Sequence, residues 1–89
     1  MSKNTKYKLV RDDGKIMYSS AIKWISWNEN GTIQKLHLQP AINRSLMMYD
    51  ADKSKRYNWL TMTITDIILK RKDLIEFTTE KSNYKLYIK

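Results

Sequence analysis

Leu74-Ile75-Glu76-Phe77-Thr78-Thr79, then Glu80-Lys81-Ser82-Asn83, then Tyr84-Lys85-Leu86-Tyr87-Ile88-Lys89 is the stretch on which the fold turns. Ile75, Phe77 and Thr79 recur at every second position, and so do Tyr84, Leu86 and Ile88. That period belongs to a strand with one buried face, because successive side chains point to opposite sides of a sheet. The four residues between the runs are polar and turn-forming. The segment reads as an antiparallel hairpin, with Lys85, Tyr87 and Lys89 on the side opposite Tyr84, Leu86 and Ile88.

Working towards the N-terminus, Lys70-Arg71-Lys72-Asp73 is a charged turn. Before it, Tyr57–Thr65 is dense in aromatic and β-branched residues, which favour strand. Asp66-Ile67-Ile68-Leu69 either extends that strand through a bulge or makes one short helical turn capped by Thr65 or Asp66. Asp50–Lys55 is a polar loop. Ala41–Tyr49 fits a helical stripe through Ile42, Leu46 and Tyr49 or a strand over Arg44–Tyr49, and strand is the preferred reading. Thr32–Gln39 pairs back on Ala21–Trp27 across Asn28-Glu29-Asn30-Gly31, and Pro40 ends it. Asp13-Gly14 is a hairpin signal, because both residues tolerate positive φ, and it joins strands at about Lys6–Val10 and Lys15–Tyr18.

The result is one all-β domain over residues 1–89, with 1–5 expected to be flexible. It has six to eight short antiparallel strands, with room for one short helix, and turn signals at roughly eight- to twelve-residue spacing. Such a pattern closes as a small barrel or stacks as a sandwich. The half up to Gln39 and the C-terminal meander are the natural candidates for two sheets sharing one core. A chain of 89 residues buries only about 60% of the surface its unfolded form exposes, so a homo-oligomer would ease its stability.

Cysteine is absent, which excludes disulfides and thiolate metal sites. No apolar run approaches the roughly 20 residues that span a bilayer, so no membrane partner is expected. The charged N-terminus has no apolar stretch behind it, and a cytoplasmic location is expected. His37 is the one histidine and alone makes no zinc site. Asp12 with Asp13 and Asp50 with Asp52 look like carboxylate pairs. They sit in turns, however, where aspartate accepts backbone hydrogen bonds. The two glycines stand apart, so no phosphate cradle exists. The expectation is a non-enzymatic protein with no catalytic residue, cofactor or metal.

What the chain does carry is charge and rings. Lysine and arginine total 17 against 9 acidic residues, a net charge of +8, which attracts polyanions. Lys53, Lys55 and Arg56 lead into Tyr57 and Trp59, and Lys70, Arg71 and Lys72 crowd one turn. Cations beside flat rings suit nucleic acid or a nucleotide: the cations neutralise phosphate, and each stacked base contributes about 1–3 kcal/mol. Three Trp and six Tyr stand against one Phe, and Tyr and Trp tolerate half-exposed positions. A core this thin also needs rings as filling. Trp24 and Trp59 are assigned to the core, and Trp27 and Tyr57 to the surface. The expected ligand site is Lys53, Lys55, Arg56, Tyr57, Trp27, Lys70, Arg71 and Lys72.

The C-terminal third adds a resemblance. Trp59-Leu60-Thr61-Met62-Thr63-Ile64-Thr65-Asp66-Ile67, Ile75-Glu76-Phe77-Thr78-Thr79 and Ser82-Asn83-Tyr84-Lys85-Leu86 together resemble small β proteins encoded by phages and prophages of low-GC bacteria. The likeness covers about the last 30 residues and rests on strand-and-turn texture. It implies a protein of the bacterial host cytoplasm that antagonises host defence, as an inhibitor or adaptor binding a host protein with an acidic face. A DNA mimic would be acidic, and this chain is basic. That departure points away from DNA mimicry and towards nucleic acid, a nucleotide or an acidic protein face.

Overall fold

The computed structural model describes residues 6–49 and 59–89. Its strands are β1 (Tyr7–Arg11), β2 (Ile16–Ser19), β3 (Ala21–Trp27), β4 (Ile33–His37), β5 (Ser45–Tyr49), β6 (Trp59–Leu60), β7 (Ile64–Lys70), β8 (Leu74–Thr79) and β9 (Asn83–Ile88). Among the described residues there are thus nine strands and no helix, beyond the six to eight expected. They form two antiparallel sheets, one ordered β2-β1-β9-β8-β7 and the other β4-β3-β5-β6. The architecture is an all-β sandwich rather than a closed barrel.

The chain does not divide at Gln39. β1 and β2 join the C-terminal meander, with β1 paired to β9 through Leu9 opposite Leu86. β3 crosses to the other sheet after a one-residue corner at Ser20. Buried Ser19 holds that corner by donating from its Oγ to the Ala21 carbonyl at 2.9 Å. Local alternation is the same whichever sheet a strand joins, which is why the division was invisible in the sequence.

The second crossing explains why the predicted strand through Thr65 breaks at residues 61–63. Thr61 stays with the four-stranded sheet: its N–H donates to the Leu46 carbonyl, and its Oγ1 accepts from the Leu46 N–H at 2.9 Å. Three residues later, Ile64 donates to the Arg44 carbonyl and accepts from the Asn43 N–H. Asn43 bends the backbone here with φ of 72°, a conformation asparagine tolerates better than most residues. Beyond Ile64, β7 pairs with β8 through two register shifts, so Asp66–Leu69 takes the bulge and not the helical turn.

The core is the inner faces of both sheets: Leu9, Ile75, Phe77, Tyr84 and Leu86 from one, Trp24, Leu46 and Met48 from the other, and Ile64 at the crossing. Trp24 is only 1% exposed and meets Phe77 edge-on, with centroids 5.7 Å apart. Phe77 in turn stacks on Tyr84 at 5.1 Å. This three-ring chain ties the sheets together. Ile25 is also buried, although its register partners Leu36 and Ser45 place it on the opposite face from Trp24.

Candidate anion-binding cleft

At one end of the sandwich a cleft of about 480 Å³ opens between the sheets. Its floor is apolar and aromatic: Tyr7, Ile22, Trp24, Ile75 and Ile88. One wall is the Lys70-Arg71-Lys72 turn and the other is Leu38-Gln39-Pro40, which follows β4. Backbone hydrogen bonds hold the turn. Arg71 N–H donates to the Leu74 carbonyl at 2.9 Å, and the Asp73 carbonyl accepts from the Ile88 N–H at 2.9 Å. The opposite wall is braced by Arg44, whose Nη1 donates to the Gln39 carbonyl at 2.8 Å.

The three turn cations are exposed. Arg71 faces Asp73 at 3.8 Å, and both groups are open to water. At that distance and exposure the pair adds little to stability and leaves the guanidinium available. Among the described residues no carboxylate lies within ion-pair distance of Lys70 or Lys72. The cleft therefore combines a cationic rim with an apolar floor. Cations on one side and apolar surface on the other are the two kinds of lining that an amphipathic anion would need.

Strand direction gathers more cations to this end. Lys6 precedes β1 and Lys89 follows β9, with Lys89 N–H donating to the Lys6 carbonyl at 2.9 Å. The opposite end of the five-stranded sheet is mixed. There Arg11 makes a two-point bond to Asp13, at 3.0 and 2.7 Å, which holds the Asp13 carboxyl down at about 2. Asp13 also accepts from the Lys15 N–H, and Asp12 from the Asn83 N–H. Asp13 does the turn work that its sequence position suggests, while Asp12 ties its turn to the start of β9. A groove of about 630 Å³ lies at this end, lined by Arg11, Asp12, Ile68, Glu76 and Lys85 among others, so both signs of charge face it.

Of the residues singled out in the sequence, Lys70, Arg71 and Lys72 come together on the cleft. Lys53, Lys55, Arg56 and Tyr57 lie outside the described residues. Trp27 does not line the cleft, which takes Ile22 and Trp24 from β3. It is half-buried, and its indole Nε1 donates to Ser45 Oγ at 2.9 Å, so its polar handle is spent inside the fold. Trp59 is half-buried and packs against the core. Lys15 and Arg11 lie over its ring at 4.7 and 5.4 Å, and its Nε1 has no partner among the described residues. His37 Nε2 sits 2.9 Å from Ser26 Oγ. Desolvation, with Arg44 and Lys35 nearby, lowers the His37 pKa and favours the neutral ring.

Two features escaped the sequence reading. Tyr7 and Leu38 reach the cleft only because the two sheets meet there. Tyr18 and Tyr87 share the outer face of the five-stranded sheet, and the alternation of Tyr87 with Leu86 and Ile88 was the available signal. Among the described residues no cluster of His, Asp and Glu could hold a metal ion, and no helix is long and apolar enough to cross a membrane. No family model matches this chain, and neither a curated protein nor a solved structure is significantly similar to it. Fold and site thus define a class: a small basic β-sandwich with a cation-rimmed cleft.

Proposed function

We propose that this chain is a non-enzymatic binding module for nucleic acid or a phosphorylated nucleotide, with the Lys70–Lys72 turn contacting phosphate. The observation that carries the reading is the cleft itself. Three exposed cations stand over an apolar floor containing Tyr7, on a chain of net charge +8. Phosphate neutralisation at the rim and apolar contact below are complementary halves of a nucleotide. Lys53, Lys55, Arg56 and Tyr57 remain part of the proposed contact set. The test is native mass spectrometry of the purified protein, to find retained ligand, followed by oligonucleotide binding against salt concentration. Affinity should fall with a log–log slope of about −0.7 per phosphate contact for a single strand. No retained ligand, together with failure to bind any nucleic acid or nucleotide at low salt, removes the reading.

One observation favours a second reading, a phage- or prophage-encoded inhibitor or adaptor that acts by binding a host protein. β4 is an edge strand with Ile33 and Leu36 exposed, and Leu38 just beyond it is 76% exposed. An open edge with apolar side chains recruits a partner strand. Salt-insensitive capture of a host protein, lost on Leu36→Lys, would favour that reading.

A further inference from the structure

The outer face of the five-stranded sheet carries a row that the cleft does not use. Register places Tyr18 of β2 opposite Lys8 of β1, Lys8 opposite Tyr87 of β9, and Tyr87 opposite Leu74 of β8. Cross-strand partners share a face, so ring, cation and ring line up. The two rings lie two strand spacings apart, about 9.5 Å. Tyr18 is 54% exposed and Tyr87 40% exposed, and Lys8 Nζ sits 5.8 Å above the Tyr87 ring. Alongside this row the paired ends of the sheet bring up Lys6 and Lys89, both exposed.

We propose that this face is a stacking platform for single-stranded nucleic acid, with bases on Tyr18 and Tyr87 and the intervening backbone on Lys6, Lys8 and Lys89. It rests on the anionic-ligand reading above and deepens it by naming the substrate class. The alternation ring–cation–ring repeats the base–phosphate–base alternation of an extended strand. A duplex offers no free base faces to such rings, whereas a single strand does. A second copy of this chain is a poor occupant, because a symmetric face-to-face contact brings the lysines of each copy against the same lysines of the other. The acidic residues of this face do not interrupt the track. Glu76 stands opposite Lys85, Asp66 opposite Thr78, and Asp12 follows β1 with its carboxylate on the Asn83 N–H, all displaced along the strands from the tyrosine row. The platform also adjoins the basic turn, since Asp73 bonds to Ile88, the neighbour of both Tyr87 and Lys89.

The experiment is fluorescence anisotropy of a fluorescein-labelled oligo(dT) with wild type, Tyr18→Ala, Tyr87→Ala, Tyr87→Phe and Lys8→Gln. Melting curves should show that substitutions at exposed Tyr18 and Tyr87 and half-buried Lys8 leave the fold intact. Each Tyr→Ala should weaken binding roughly tenfold with an unchanged salt slope, because the ring takes no phosphate. Tyr87→Phe should bind like wild type, and Lys8→Gln should reduce the salt slope by about 0.7. A duplex of the same length should be indifferent to both tyrosine substitutions. Wild-type binding that survives Tyr18→Ala and Tyr87→Ala unchanged overturns the platform and leaves the anionic-ligand reading standing. Absence of any nucleic-acid or nucleotide binding by the wild type at low salt overturns both.

Discussion

Two concavities among the described residues lie at opposite ends of the same sheet and differ in what lines them. The larger, near Arg11 and Asn83, mixes Arg11 and Lys85 with Asp12 and Glu76. The smaller, beneath the Lys70–Lys72 turn, has only cations among its charged lining residues, over an apolar floor. Volume alone would select the first. A polyanion would select the second, because a carboxylate in the lining repels phosphate as strongly as a lysine at the same distance attracts it. The difference arises from topology. Antiparallel pairing brings the start of β1, the end of β9 and the β7–β8 turn to one end, and all three are lysine-rich.

The floors differ as well, and the largest expected effect tests that. The cleft rests on Trp24, which is also the ring that joins the two sheets. Trp24→Ala should cost about 3–5 kcal/mol, enough to leave a domain this small largely unfolded in a urea titration. Val10→Ala, in the mixed groove on the outer face, should cost about 1 kcal/mol or less. Equal losses at the two sites would mean that the cleft floor is not the core.

Next in size is the charge test. Lys72→Glu and Lys81→Glu change the net charge equally, but Lys72 rims the cleft and Lys81 lies in the β8–β9 turn at the other end. Lys72→Glu should weaken oligonucleotide binding and reduce the salt slope by about 0.7, while Lys81→Glu should do neither. Identical behaviour of the pair would make the attraction a property of overall charge rather than of the cleft. Glu76→Gln sharpens the contrast from the other side. Removing a carboxylate from the mixed groove should raise anion affinity there by a small factor, and phosphate titration by NMR would locate the shift.

The smallest effects are two titrations, one beside each concavity. His37, next to the Leu38–Pro40 wall, has a folded pKa below its ordinary 6.5, so the fold favours the neutral ring. Its contribution is complete above 6.5 and is lost as pH falls through the folded value. Asp13, beside the mixed groove, is held at about 2 against an ordinary 3.8. Its contribution is complete above 3.8 and disappears as pH falls through about 2. Melting temperatures across pH should show the two steps in separate windows. His37→Gln should flatten the upper one and Asp13→Asn the lower.

How much of this was legible depended on range. The β8–β9 hairpin lies where its alternation placed it, because burial of Phe77 and Tyr84 on one face leaves a mark within a few residues. The Asp12–Gly14 and Asn28–Gly31 turns were equally local, since each glycine takes positive φ. Lys70–Lys72 was legible as a charged turn but not as one wall of a cleft, because the other wall, Leu38-Gln39-Pro40, lies far back in the chain. Trp27 shows the converse. A tryptophan beside a turn reads as exposed, yet Ser45, eighteen residues on, accepts its N–H.

The sequence by itself determined that this is an all-β chain, which residues its hairpins turn on, and that it is strongly basic. Those are properties of side-chain period, turn chemistry and charge count, each set by neighbours along the chain. Only the tertiary structure decided which sheet each strand joins, where the chain crosses between them at Ser20 and at 61–63, and which cations stand together. Strand pairing has no local signature: β1 meets β9 because Leu9 and Leu86 bury one another across the whole length of the chain. That long-range burial, and not the spacing of the lysines, turns a diffuse positive charge into one basic end.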